Sequence, residues 1–213
     1  MGQKVGQRWD RGGTDKNKRG SMKIKGGTEV VLGVDPGQIG AAVVLDGVHV
    51  REVVTWDTEK DVGPLVFALC QRWGVVRAAV EWTPKTHGHR ERMPPAARVT
   101  LGQRAQMATT GAACAGALVK FVGPLEWRAD VLNLSGQSSG EDAKAAAEAA
   151  CWGGRVRRLD PDLGLVWPQE TMAMVHAMIE ARKEARRTRT KSKKGDPSHM
   201  AEAACVAVWA QRW

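Results

Sequence analysis

The stretch EVVLGVDPGQIGAAVVLDGVHVREVVTW, residues 29–56, decides the reading of this 213-residue chain. Glu29–Val34 is a short run rich in β-branched residues, and it stops at the turn tripeptide Asp35-Pro36-Gly37. Ile39–Leu45 is a second apolar run, closed by Asp46-Gly47, a dipeptide suited to a tight hairpin. Val48–Trp56 alternates apolar and polar residues and reads as a third strand. Three consecutive strands joined by short turns make an antiparallel meander.

The next segment changes period. Asp57–Trp73 carries Val62, Leu65, Val66 and Leu69, a 3,1,3 spacing that predicts an amphipathic helix, and Gly74 fits its C-terminal stop. Val75–Val80 is nearly continuous in apolar residues and ends at Glu81, as suits a strand buried on both faces. The intervening helix is long enough for a crossover, so this fourth strand can lie parallel to the first. Thr83–Ala97 reads as a loop containing Pro84, Pro94 and Pro95. Arg98–Leu118 is Ala-rich and helical, Lys120–Leu125 is a weak strand, and Glu141–Trp152 is a helix ended by Gly153-Gly154. Arg155–Leu159 has the composition of another short strand. A helix from Pro168 to about Arg189 places Met172, Val175, Met178 and Ile179 on one face, and Ser198 N-caps a last helix. The expectation is an α/β protein with a mixed five-stranded sheet, meander plus parallel strands, flanked by helices.

Composition narrows the class. Hydrophobic residues make up 43% of the chain, enough for a core. No apolar run approaches the ~20 residues of a membrane span. The basic N-terminus lacks the apolar segment of a secretory signal. Cys70, Cys114, Cys151 and Cys205 lie far apart, with neither a CxxC zinc signature nor a disulfide framework, so reduced thiols in a cytoplasmic protein are expected.

The net charge of +9 is unevenly distributed. Residues 1–26 carry eight basic side chains against Asp10 and Asp15, a net +6. Residues 181–195 carry eight more against Glu184, a net +7. The rest of the chain is therefore mildly acidic, at −4. Residues 1–27, rich in Gly, Lys and Arg, are expected to form a disordered basic arm that neutralises phosphates and releases counterions. Residues 28–213 are expected to form the folded domain.

Carboxylates stand at the strand ends. Asp35 closes the first strand and Glu81 the fourth, so parallel pairing brings both to one sheet edge. His199 and Glu202 share a face in the first turn of the last helix, at i and i+3. Three converging carboxylates repel one another unless a cation neutralises them. Such a set with one imidazole suits Mg²⁺ or Mn²⁺, and two such ions can activate water and stabilise a phosphoryl transition state.

These residues resemble a known family. Val31-Leu32-Gly33-Val34-Asp35-Pro36-Gly37, followed by Gly40, is similar to the first strand and turn of RuvC-type Holliday junction resolvases, in the ribonuclease H-like superfamily. Ala79-Val80-Glu81 resembles the second acidic position, Leu101-Gly102-Gln103 the start of the following helix, and Ala143-Lys144 a basic position after a Gly-rich turn. His199-Met200-Ala201-Glu202-Ala203 resembles the terminal acidic helix, and the likeness spans roughly residues 29–212. It implies a ribonuclease H-like fold, a homodimer, and Mg²⁺-dependent cutting of symmetric strands in branched DNA to leave 5′-phosphate and 3′-hydroxyl ends. Asp35, Glu81, His199 and Glu202 would be catalytic metal ligands, and Lys144 would contact the scissile phosphate. Glu202 stands where Asp is typical, and His199 where Asp is usual but His occurs; the imidazole favours Mn²⁺. The basic tail and the 168–195 segment look more like phage or mobile-element relatives than the bacterial housekeeping enzyme.

Further basic residues surround this set. The loop after Glu81 offers Lys85, His87, His89, Arg90 and Arg92 to backbone phosphates or the open junction centre. The pair His87 and His89 lacks further zinc ligands at usable spacing. Arg186, Arg187, Arg189, Lys191, Lys193 and Lys194 lead into His199 and would line a DNA channel. Trp82, beside Glu81, is a candidate for base stacking. Two other classes share some of these features: a nucleic-acid-binding module without activity, and an actin-like ATPase, which also uses a DxG turn but needs a second phosphate loop not evident here.

Overall fold

The computed structural model describes residues 29–37, 39–57, 62–82, 95–134, 140–152, 163–188 and 197–213. The meander forms as its pattern requires. Strands β1 (Val30–Asp35), β2 (Gly40–Asp46) and β3 (His49–Trp56) pair antiparallel in sequence order. Gly47 takes a φ of +57° in the β2–β3 turn, which explains the Asp46-Gly47 pair. Helix α1 (Val62–Trp73) ends at Gly74, φ +60°, and the chain crosses to β4 (Arg77–Glu81), parallel to β1. Helix α2 (Pro95–Cys114) returns it to β5 (Leu118–Val122), parallel to β4. The sheet order is β3-β2-β1-β4-β5. Helices α3 (Pro124–Leu132), α4 (Gly140–Trp152), α5 (Gln169–Arg187) and α6 (Ser198–Ala210) follow.

Strand alternation sorts two cores. Leu32, Val34, Ala42 and Val44 face α1 and α2, where Val62, Val66, Leu69 and Ala108 complete one buried cluster. Val31, Ala41, Val43 and Leu45 face the other way, into a cluster shared with α3, α4 and α6. Each large apolar side chain so buried contributes about 1.5–3 kcal/mol. Val175 is buried in this cluster and Met178 and Ile179 pack against it, so these three residues of the α5 stripe belong to the core.

Helix α6 is the central element of the second layer: every residue from Met200 to Ala210 is buried. It lies directly on β1 because position 33 has no side chain. A Cβ on Gly33 would stand 2.2 Å from both the Ala203 carbonyl oxygen and the Ala207 nitrogen. That contact sets the height of α6, and with it the height of His199 and Glu202, above the sheet edge.

Several boundaries differ from the sequence reading. The helix expected to start at Arg98 begins at Pro95, where proline suits a first turn. It ends at Cys114 rather than Leu118, because Gly116, φ +91°, turns the chain and Leu118 already opens β5. The strand expected at Lys120–Leu125 therefore starts two residues earlier and ends at Val122. Helix α3 was not anticipated, although Pro124 stands at its start and Trp127 and Val131 are buried four residues apart. The N-terminal arm and the strand expected at Arg155–Leu159 lie outside the described residues. Cys70, Cys151 and Cys205 are buried free thiols, whereas Cys114 is exposed. Among the described residues no helix is long and apolar enough to cross a membrane.

Candidate active site

The β1–β4 register pairs Val34 with Val80, which makes Asp35 and Glu81 the next residues at the same end of two parallel strands. Asp35 is 8% exposed. Its Oδ1 accepts the Gly37 backbone N–H at 3.0 Å, so the DPG turn fixes the carboxylate from its own loop. Its Oδ2 lies 2.7 Å from Nδ1 of His199. Glu202, 5% exposed, follows one turn along α6. Asp35, His199 and Glu202 each offer a ligand atom within 4.8 Å of the others.

Glu81 is close enough to feel the charges of Asp35 and Glu202, but one of its oxygens is held elsewhere. Its Oε2 accepts the indole N–H of the fully buried Trp127 at 3.0 Å. The next residue, Arg128, brings Nη2 to 3.5 Å from Oε1 of Glu202 and sets its guanidinium 5.2 Å from the Trp127 ring centroid. Helix α3 thus sends a neutral donor to one carboxylate and a cation to another. From the sequence Trp127 reads only as a core-packing aromatic, and Arg128 carries no signal of its own. The available signal was a Trp-Arg pair in a proline-started helical segment.

The electrostatics follow from burial of like charges. Burial pushes the Glu81 carboxyl up to about 8, with Asp35 and Glu202 adding to the rise and Arg128 and Trp127 opposing it. Glu202 rises to about 7, first through burial and then through Asp35, against Lys144, Arg128 and His199. Burial pulls His199 down, but its hydrogen bond to Asp35 and the carboxylate charges outweigh that, and its net shift is upward. Lys144, on α4, is near enough to act on both His199 and Glu202. The cluster therefore holds protons near neutral pH that a cation would replace. All its donors are oxygen or imidazole nitrogen, which fits Mg²⁺ or Mn²⁺.

Of the basic residues expected to meet DNA, Lys85, His87, His89, Arg90, Arg92, Arg189, Lys191, Lys193 and Lys194 lie outside the described residues, as does the side chain of Arg186. Arg187 is exposed and pairs with Glu184 at 2.7 Å within α5. An exposed pair of this kind holds a side chain only weakly. Trp82 packs on Phe121, ring centroids 5.9 Å apart, at the strand end beside Glu81.

No protein-family model and no curated protein sequence matches the chain. Solved structures do match in fold. The Thermus thermophilus RuvC structure superposes with a TM-score of 0.50 at 17% identity, covering 84% of this chain and 91% of that one. The yeast mitochondrial Holliday junction resolvase Ydc2 superposes with a TM-score of 0.51 at 12% identity, covering 87% and 79%. The chain resembles these resolvases in its mixed five-stranded sheet flanked by helices, the ribonuclease H-like fold.

Proposed function

We propose that the chain is a divalent-metal-dependent, structure-selective DNA endonuclease that hydrolyses phosphodiesters in four-way or other branched DNA, leaving 5′-phosphate and 3′-hydroxyl ends. The observation that carries this reading is the convergence of Asp35, His199 and Glu202, with Glu81 beside them, at one end of the parallel strands. An acidic cluster buried to this degree disfavours its own ionised state and gains when cations enter. Fold likeness to junction resolvases supports the choice of substrate class.

In this reading Asp35, Glu81, His199 and Glu202 hold two Mg²⁺ or Mn²⁺ ions, which when bound supply an activated water and neutralise charge at phosphorus. The chain's own groups do the rest. The Gly37 N–H and His199 fix the Asp35 carboxylate, so it is oriented before substrate arrives. Trp127 holds Glu81 through one oxygen and leaves the other free of that bond. Lys144 and Arg128 both place positive charge near Glu202, where a phosphate would approach an acidic cluster. The basic segments at 1–26, 85–92 and 186–194 would hold flanking phosphates. The reading includes a homodimer, which would set one such site on each of two symmetric strands. The apolar groove between α1 and α2, where Phe67 is exposed beside Met107, is a surface of the kind such a contact uses.

Cleavage of an end-labelled four-way junction with Mg²⁺ or Mn²⁺, compared with EDTA, tests the proposal. Metal-dependent symmetric nicks with ligatable ends are expected. Tight junction binding without any cleavage in either metal would instead mark an inactive binding module.

A further inference from the structure

Arg104 is a buried cation outside the acidic cluster. It lies in the middle of α2, on the opposite side of the sheet from α6, and is 5% exposed. Its Nη1 donates to the Gly37 carbonyl oxygen at 2.9 Å. Among the described residues its Nε has no hydrogen-bond partner, and the Gly37 carbonyl is the acceptor that its Nη1 engages.

The carbonyl matters because of what the same residue does with its other atoms. The Gly37 N–H donates to Oδ1 of Asp35 at 3.0 Å, and Oδ2 of Asp35 meets His199 at 2.7 Å. There is little slack on this side of the turn: a Cβ on Gly37 would stand 3.2 Å from Oδ1 of Asp35 and 3.5 Å from Cε1 of His199. Turning the 36–37 peptide, or displacing Gly37 as a whole, would therefore move the Asp35 carboxylate or lose its hydrogen bond. Arg104 grips the Gly37 carbonyl and opposes displacement of that residue.

We propose that Arg104 is a positioning residue, which holds Gly37 and through it presets the Asp35 carboxylate for a divalent cation. The inference rests on the reading of Asp35 as a metal ligand. It also links α2, the helix that follows the basic residues 85–92 in sequence, to the end of β1 that carries Asp35. Partners that orient a metal ligand typically change metal affinity by about 10–100-fold when removed.

The test is calorimetric titration of Mn²⁺ alone into the full chain, with wild type, Arg104→Met, Arg104→Lys and, as a control, Asp35→Asn. Arg104→Met is expected to weaken Mn²⁺ binding by about tenfold or more. Arg104→Lys, which keeps a charged donor, is expected to recover most of that loss. The Mn²⁺ concentration for half-maximal junction cleavage should rise by the same factor in each variant. Wild-type affinity in Arg104→Met overturns the inference, as does equal weakening in Arg104→Lys, which would mean that lost packing is the cause. If Arg104→Met does not fold, Arg104→Gln, too short to reach the carbonyl, is judged by the same criterion. A wild-type chain that binds no Mn²⁺, or an Asp35→Asn chain that binds as well as wild type, would instead remove the metal-site reading itself.

Discussion

Nδ1 of His199 lies 2.7 Å from Oδ2 of Asp35, joining the end of the first strand to the first turn of the last helix across 164 residues of sequence. The contact needs three things at once: a turn that fixes Asp35, a helix that begins at Ser198, and a sheet position that lets this helix come down onto β1. Each is open to a separate experiment.

The carboxylates come first. Asp35→Asn and Glu81→Gln keep size and remove charge, so they should leave folding intact. Each is expected to lower junction cleavage at least about 100-fold, the scale of losing one electrostatic contribution to a transition state. Junction binding in a gel-shift assay should remain within a few-fold of wild type. Cleavage by either variant at the wild-type rate would remove that residue from the site.

Metal binding should depend on pH in a defined direction. Glu81 at about 8 and Glu202 at about 7 are raised acids, so they hold protons at neutral pH in the absence of metal. Ca²⁺ affinity, measured at pH 6, 7, 8 and 9, is expected to rise throughout. The metal-free chain should change in the opposite sense. A raised carboxyl contributes stability that is full below the unfolded value, near 4.5, and is lost as pH rises through about 7 and then about 8. The raised His199 acts in the same direction, with its contribution full below about 6.5. The melting temperature in EDTA should therefore fall from pH 6 to pH 9, and added Ca²⁺ should reverse the fall. A metal affinity that is flat across this range would mean the cluster is already ionised.

The seat of α6 on β1 is a packing claim. Gly33→Ala places a Cβ 2.2 Å from backbone atoms of Ala203 and Ala207, and backbone in a packed helix has little room to retreat. A loss of about 2 kcal/mol or more is expected, at or above the usual cost of overpacking. Gly123→Ala is the control, since its Cβ would meet nothing within 4 Å and its φ of −74° suits alanine. Urea unfolding followed by far-UV circular dichroism compares the two. Equal stability of both variants would show that α6 can shift off the strand.

The charge of residues 1–26 bears on salt dependence. Deleting residues 1–26 removes eight cationic side chains. If they neutralise phosphates, the slope of log binding constant against log salt should become shallower by about 0.9 for each phosphate left without its cation. Fluorescence anisotropy of a labelled junction from about 50 to 300 mM KCl reads this directly. An unchanged slope would show that the arm does not engage DNA.

Part of this protein was legible from local pattern. Period-two alternation and the DPG and DG turns located the meander within a residue or two, because strand pairing and tight turns are encoded by neighbours. The crossover helix followed from apolar spacing, and the parallel fourth strand from crossover length. Helix α3 was less legible: WRADVL is short, and its weak amphipathic pattern does not separate helix from loop. Its two contacts with the acidic cluster, Trp127 to Glu81 and Arg128 to Glu202, join residues 46 and 74 positions apart, which no local period marks. Arg104 was hidden for the same reason, as one cation in an Ala-rich helix.

The sequence alone determined which groups stand at the ends of which elements: Asp35 and Glu81 closing two strands, His199 and Glu202 on one helical turn. Side-chain period and turn chemistry are local, so the chain carries that information in short words. The tertiary structure decided how those groups meet. Gly33 lets α6 descend to β1, and that height brings His199 onto Asp35. Burial then raises the proton affinity of Glu81 and Glu202, and α3 and α2 deliver Arg128, Trp127 and Arg104 from opposite sides of the sheet. Desolvation and charge coupling depend on distance in space, and distances between residues far apart in sequence exist only once the layers have packed.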